Sequence, residues 1–351
     1  MSNLKLGFEN NYTARIKKLG VDLGNFGIKV SQDVGNNFTF ESRCKTYDSS
    51  NYIFYNPVTL MYNDQNYLLG EGIFDHEIFK IKRSNLKECL AGAIAMADSI
   101  EDKDRLIIGV GLPILQYGQY KDKFRDILLG NNRTVKCSYG TYGQSLTKTV
   151  HIDDIEVFPE GIAAYWGIED KLDDYWDMAG KLRRTNPPML IIVDIGGRTT
   201  NICTVVRNLD GTTTPRNPDT IPYGTLMAYG LMCRKFNSFA IDKCISYTFT
   251  IEDIEPILYK GQVLDERFDT LDKDGYANLA YDKVAKHIIR SVKESNPDYD
   301  KALVVITGGG ACRFGEKVQM YLPNNSVIDD NIYSNANGYL AALQSYNDPE
   351  K

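Results

Sequence analysis

Two short stretches of this chain carry the same chemistry. The first runs Val21-Asp22-Leu23-Gly24-Asn25-Phe26-Gly27-Ile28-Lys29, and the second runs Val193-Asp194-Ile195-Gly196-Gly197-Arg198-Thr199-Thr200. Each reads as an apolar strand with an aspartate at its end, a glycine turn and a second strand. Turns of this kind aim backbone N–H groups at anions such as phosphate oxygens. The aspartates cannot touch phosphate themselves, because like charges repel. A Mg²⁺ ion between them resolves the conflict, since it is bound by one or two carboxylates together with phosphate and water. The pair of turns therefore predicts a Mg-nucleotide held from two sides, in a cleft between two related domains.

Two further segments fit such a cleft. In Ile306-Thr307-Gly308-Gly309-Gly310-Ala311 the glycines let the backbone lie flat against a nucleobase or ribose, and a helix N-terminus follows at phosphate. In Phe158-Pro159-Glu160-Gly161 a carboxylate stands at a strand-to-helix junction. Glu160 is either a helix N-terminal acid favoured by the dipole or the group that orients the water attacking a γ-phosphate. Lys29, on the strand after the first turn, returns toward the β-phosphate as a point charge. His76, His151 and His287 are isolated, with no ligand-like partner at helical spacing. There is no GxxxxGK[ST] loop and no strand-linked GxGxxG, so nucleotide binding has to use other machinery.

The elements that must position these residues are α/β in character. The chain has 351 residues, beyond the size at which one core keeps growing, so two domains are expected. At 43% hydrophobic and 25% charged, its composition is that of an ordinary globular protein. A net charge of −6 argues against direct nucleic-acid binding by the chain as a whole. Seven scattered cysteines with no CxxC pair read as reduced thiols, hence a cytoplasmic protein. No apolar run reaches the roughly 20 residues that span a bilayer, and the polar start MSNLKLGFENNYTARIKK lacks the apolar core of a signal peptide.

Strands are expected at 18–23, 27–34, 37–44, 57–62 and 66–69, with turn residues at Gly35-Asn36 and Asn63-Asp64. A helix over 84–99 with Ser84 as N-cap, a buried strand at 106–110 and a helix at 115–129 follow. Strands near 133–139, 146–152 and 155–158 then lead into a long helix over 160–180. After the breaker-rich linker 183–188 come strands at 189–193, 200–207 and 215–221, helices at 224–236, 251–260 and 274–295, a strand at 302–306, and helices at 311–321 and 336–346.

Taken in order, Asp22–Lys29, Glu160, Asp194–Thr200 and Thr307–Ala311 resemble the motifs of the actin, sugar kinase and heat-shock-chaperone ATPase superfamily. Within it the chain is most similar to the bacterial actin-like plasmid-segregation proteins, the ParM group. The likeness rests on Asp-x-Gly-Asn-x-x-x-Lys at the first turn, Gly111-Leu112-Pro113 after the buried strand, and Ser334-Asn335-Ala336-Asn337-Gly338-Tyr339 at the start of the last helix. The resemblance implies two related domains, each a mixed sheet flanked by helices, with nucleotide between them. Domain I would span 18–165 plus 335–351, domain II 166–334, with 1–17 an N-terminal extension.

It further implies an ATP- or GTP-driven filament that separates plasmid copies through an adaptor on centromere-like DNA. Asp22 and Asp194 would hold Mg²⁺ through water, and Glu160 would position the hydrolytic water. Gly24, Asn25, Phe26 and Gly27, with Gly196, Gly197, Arg198 and Thr199, would meet phosphates, and Lys29 would reach the β- and γ-phosphates. Gly308, Gly309 and Gly310 would flank the nucleoside, with Glu255 and Lys260 at base and ribose. Arg198 departs from the family's usual small residue, and either adds a phosphate contact or points outward. The alternative reading is a small-molecule kinase of the same superfamily.

Overall fold

The longest buried apolar runs become the centres of two sheets. The computed structural model describes residues 16–33, 36–47, 58–75, 77–141, 144–181, 188–262, 264–322 and 325–345. The expected N-terminal extension up to residue 15, Gly35 of the Gly35-Asn36 turn and the linker at 183–187 lie outside the described residues.

The first sheet holds β1 (Ile16–Leu23), β2 (Gly27–Gln32), β3 (Phe38–Glu41), β4 (Cys44–Thr46), β5 (Thr59–Tyr62), β6 (Gln65–Leu69), β7 (Arg105–Leu112), β8 (Thr134–Thr141) and β9 (Gln144–Pro159), in the order β3-β2-β1-β7-β9-β8-β5-β6-β4. Helices α1 (Leu86–Met96) and α2 (Ile114–Leu129) belong to this half, and α3 (Ile162–Trp166) and α4 (Leu172–Lys181) follow it. The second sheet holds β10 (Met189–Ile195), β11 (Thr200–Arg207), β12 (Thr213–Ile221), β13 (Leu303–Thr307) and β14 (Ser326–Ile328), in the order β12-β11-β10-β13-β14. Its helices are α5 (Thr225–Asp242), α6 (Ile251–Tyr259), α7 (Lys273–Ser295) and α8 (Ala311–Gln319), and α9 (Ser334–Ser345) ends the described chain.

The two sheets share a centre. In each, an antiparallel hairpin (β1–β2, β10–β11) is joined on its first strand by a parallel strand from later in the chain, β7 or β13. These central strands are buried along nearly their whole length, as parallel strands covered on both faces must be. The hairpin turn between β5 and β6 puts both Asn63 and Asp64 at positive φ (50° and 57°), which their side chains tolerate better than most. α6 opens with the reciprocal capping of Thr250 and Asp253.

Several expectations need correcting. Helix α1 begins at Leu86 after Asn85; Ser84 does not cap it, because its N–H and Oγ donate to Asp75 Oδ2 at 2.9 and 3.1 Å. The strands expected at 146–152 and 155–158 are one continuous strand, β9, and that expected at 37–44 is divided into β3 and β4. The helix expected over 160–180 is broken into α3, a short 3-10 turn and α4. The break lies where α9 crosses: a Cβ on Gly167 would stand 1.6 Å from Ser334 O, and one on Gly338 1.9 Å from Ala163 O. Backbones this close leave no room for a regular helix with side chains at the crossing.

A core of aliphatic and aromatic residues fills each half. Phe74 is the exception to the division. It stands on the segment between β6 and α1, yet it is buried in the core of the second sheet. Its ring stacks on Phe26, and its N–H donates to Glu252 Oε1 at 3.0 Å.

Candidate functional site

The two aspartate turns have the same construction. Asp22 ends β1 and faces Lys29 across the β1–β2 ladder, and Asp194 faces Asn201 across β10–β11 in the same register. A Cβ on Gly24 would lie 2.6 Å from Gly27 O, and one on Gly196 would lie 2.9 Å from Thr199 O. Both turns are thus too tight for any larger residue at that place. Their tips meet, since a Cβ on Gly197 would stand 2.9 Å from the backbone N of Phe26. The N-terminus of α5 secures the second turn, with Thr225 N–H on Gly196 O and Leu226 N–H on Gly197 O at 3.1 and 2.8 Å.

Between the turns lies a buried acid cluster. Glu160 enters it from the end of β9, Asp22 and Asp194 from their strands, and Lys80 from the segment before α1. Lys80 is only 2% exposed and its Nζ lies 2.6 Å from Glu160 Oε1 and 3.6 Å from Asp22 Oδ1. Lys29 Nζ donates to Asp22 Oδ2 at 3.0 Å. Asn201 Nδ2 donates to Glu160 Oε2 at 3.0 Å and lies 3.4 Å from Asp194 Oδ2.

The environments of the two aspartates pull in opposite directions. Burial pushes Asp22 upward, but Lys29 and then Lys80 outweigh it and hold the carboxyl below its ordinary range. Burial likewise opposes charge on Lys29, and Asp22 overrides it and raises the ammonium. Asp194 is raised to about 7, by burial first and then by the charges of Glu160 and Asp22, against the hydrogen bond it receives from Asn335.

The turn at 308–310 closes the cleft over Asp194. Gly308 takes φ +87°, and a Cβ there would stand 2.4 Å from Asp194 Oδ1. Gly310 N–H donates to Ile195 O at 2.8 Å, whereas a Cβ on Gly309 would meet nothing within 4 Å, so this residue borders open space. A narrow inner cavity lined by the acid cluster and both turns adjoins a much larger outer one of about 470 Å³. Lys29, Gly196, Gly197 and Gly309 line both. In the outer cavity Glu255 is buried and accepts from Tyr229 Oη and the Arg313 guanidinium, which lies 4.3 Å over the Tyr259 ring. Lys260 Nζ reaches across the mouth to Glu41 Oε1 at 2.7 Å.

Most residues expected at the site are therefore gathered. Asp22, Gly24, Asn25, Lys29, Glu160, Asp194, Gly196, Gly197, Thr199, Gly308 and Gly309 line the inner cavity, and Phe26, Gly27, Glu255, Lys260 and Gly310 the outer one. Arg198 lines neither: its Nε donates to Asp75 O at 3.0 Å, tying the second turn to the segment that carries Phe74 and Lys80. Lys80, Asn201 and Arg313 are site residues that the sequence reading missed, and Asn335 was quoted within the motif that opens the last helix but given no role at the site. Of the three missed, Asn201 had a legible signal, since it stands at the register position that Lys29 occupies in the first turn.

The donor set suits a hard cation bound mainly through water. The inner cavity offers carboxylate oxygens and no soft ligand, and the buried Oδ1 of Asn25 and Oγ of Ser334 beside it have no hydrogen-bond partner in the protein. Among the described residues no three His, Cys, Asp or Glu side chains converge tightly enough to ligate a metal directly. A Mg²⁺ bridged by water to Asp22 and Asp194 fits these residues.

Residues 20–162 match the family model of the N-terminal domain of actin-like proteins. No curated protein matches the sequence. Among solved structures, a non-polymerisable quadruple mutant of pCBH ParM superposes with a TM-score of 0.76 at 18% identity, covering 94% of this chain and 100% of that one. A 15-stranded ParM filament from Clostridium botulinum gives 0.76 at 18% identity, covering 94% and 99%. An archaeal actin homologue in complex with ADP gives 0.68 at 16% identity, covering 94% and 99%. The likeness to these structures is one of fold: two mixed sheets flanked by helices, in the actin arrangement. The first sheet is thus matched by the family model of the actin-like N-terminal domain, and the chain as a whole has the actin-like fold.

Proposed function

We propose that this chain is a polymerising NTPase that binds Mg-ATP or Mg-GTP between its two halves, assembles into filaments and hydrolyses the nucleotide. The observation that carries the reading is the facing pair of Asp-Gly turns, with Glu160 between them and the 308–310 turn folded over Asp194. Backbone N–H groups of the turns bind the phosphates, and Lys29 adds a point charge. The outer cavity, with Glu255, Lys260 and Gly310, takes the base and ribose. Glu160 orients the attacking water and accepts its proton. Asp22 and Asp194 would hold Mg²⁺ through water, and the bound ion would supply neutralisation of the charge on the transferred phosphoryl group.

For that role Glu160 must be released, since its two oxygens now face Lys80 and Asn201. A triphosphate is a stronger partner for the Lys80 ammonium than a single carboxylate, so substrate binding favours the release. Filament assembly is supported by the fold shared with a ParM filament, and nucleotide binding by the fold shared with an actin homologue complexed with ADP. Plasmid segregation in the cytoplasm, through an adaptor bound to DNA, extends the same likeness. In this reading domain I comprises 18–165 plus the segment from 335, and domain II comprises 166–334.

Purified protein with Mg-ATP or Mg-GTP is expected to raise light scattering, to show filaments by electron microscopy, and to release phosphate without any acceptor substrate. No scattering rise at any concentration up to the solubility limit would remove the filament. Phosphate transfer that waits for an added hydroxyl compound would favour a small-molecule kinase.

A further inference from the structure

The motif at the start of α9 has no task in the roles given above. Its Asn335 is 7% exposed and lies between the two halves. Nδ2 donates to Asp194 Oδ2 at 2.8 Å, and Oδ1 accepts from the N–H of Gly161, the residue after Glu160, at 3.3 Å. One amide thus spans from the carboxylate of the second sheet to the backbone beside the carboxylate of the first.

The helix that carries it is fixed to the first sheet. A Cβ on Gly20 would lie 2.0 Å from Ala336 O, and one on Gly111 1.8 Å from Tyr339 Oη, so α9 rests on β1 and β7 at the closest approach that glycine permits. The crossing with α3 at Gly338 and Ala163 is as tight. At its far end Lys18 Nζ donates to Leu343 O at 2.7 Å. Asn201, the other amide on Asp194, rides on β11, the strand paired with Asp194's own. Asn335 therefore brings to Asp194 a reference point that belongs to the opposite half.

We infer that Asn335 is a positioning residue: its amide registers the Asp194 carboxylate against Gly161 and Glu160 across the junction of the halves, and so sets where Asp194 presents itself to hydrated Mg²⁺. This rests on the function proposed above. Outer partners that orient a metal-binding carboxylate typically contribute about 10–100-fold in metal affinity or activity.

The direct test is a double-mutant cycle read by thermal unfolding without nucleotide at pH 8, on the wild type, Asn335→Asp, Asp194→Asn and the double variant. Asn335→Asp sets a second carboxylate against Asp194 and lowers the midpoint. In the Asp194→Asn background the same change restores a reciprocal amide–carboxylate bond, so most of the loss disappears. An equal loss in both backgrounds overturns the inference, because Asn335 would then stabilise α9 with no link to Asp194. Should Asn335→Asp fail to fold while the double variant folds, the coupling stands; should neither fold, the cycle with Asn335→Ala decides by the same rule.

The second arm titrates a fluorescent ATP analogue with Mg²⁺ and with EDTA. Asn335→Ala is expected to lose about tenfold or more of the affinity that Mg²⁺ adds, while metal-free affinity stays within about twofold. Equal losses with and without Mg²⁺ overturn the metal-side role. A wild type that binds no nucleotide refutes the proposed function instead, and the thermal cycle still decides whether Asn335 registers Asp194.

Discussion

In the first turn the cross-strand partner of the aspartate is Lys29, and in the second it is Asn201. Strand, turn and register are otherwise alike. Asp22 lies among ammonium groups and is held ionised, whereas Asp194 meets two amides and is raised to about 7. The difference shows how a repeated backbone frame can serve two purposes. The first half carries its own counter-charge and is complete without ligand. The second half keeps a buried carboxylate that no lysine among the described residues pairs directly and that burial holds toward its protonated form. In the function proposed above, this asymmetry is what an incoming cation would act on.

Replacing the carboxylate that stands between the turns tests most strongly whether the two act on one substrate. Glu160→Ala is expected to lower phosphate release by about 10²–10⁴-fold, the usual range for a general base, with nucleotide-driven scattering retained; unchanged release would take Glu160 out of the reaction. Next in size is the loss of the first turn's counter-charge. Lys29→Met leaves Asp22 buried with Lys80 as its nearest cation, and breaking such a pair costs about 3–5 kcal/mol, to be read from the urea midpoint of the nucleotide-free protein. A shift under about 1 kcal/mol would mean that Lys80 alone suffices for Asp22.

The asymmetry also predicts opposite pH dependences. The folded state holds the Asp194 proton more tightly than the unfolded chain, so this group's contribution is present below its unfolded value and is lost as pH rises from about 4 through about 7. Asp22, depressed when folded, contributes above its unfolded value and loses that contribution as pH falls below it. In nucleotide-free protein, Asp194→Asn should flatten the decline of the unfolding midpoint between pH 5 and pH 7.5, and Asp22→Asn should flatten the decline at acid pH. Identical profiles for the two variants would contradict the contrast drawn here. The smallest effect belongs to the cleft mouth. Lys260→Gln removes an exposed ion pair with Glu41 and should change stability by less than about 1 kcal/mol, a difference that vanishes at high salt.

The sequence announced the turns because their frame is local: an apolar strand, an acid and a glycine within a few residues. The glycines at 308–310 were legible for the same reason. Lys80 was not. It lies in an irregular stretch with no periodicity, and long-range anchoring of that stretch delivers it to Glu160: Phe74 in the other core, Asp75 O on Arg198, and Gln116, which accepts from Lys80 N–H and donates to Ile78 O. Asn335 was noticed within a motif, but its contact with Asp194 joins parts of the chain that the sequence keeps far apart. The broken helix after Glu160 has a similar origin. Apolar spacing supports one helix there, and the interruption comes from α9 crossing at Gly167, a tertiary demand with no local trace. β14 escaped notice because three residues are too few for an alternating pattern to show.

The place of α9 also bears on how the protein is made. The central strands of the first sheet are complete once Pro159 has been synthesised, yet the helix that covers β1 and β7 begins only at Ser334. At translation rates of about 5–20 residues per second, that surface waits roughly 10–40 s on the ribosome before its own chain can cover it. The nascent first half therefore emerges with an apolar face that a chaperone has reason to hold, and its maturation is timed by the synthesis of the second.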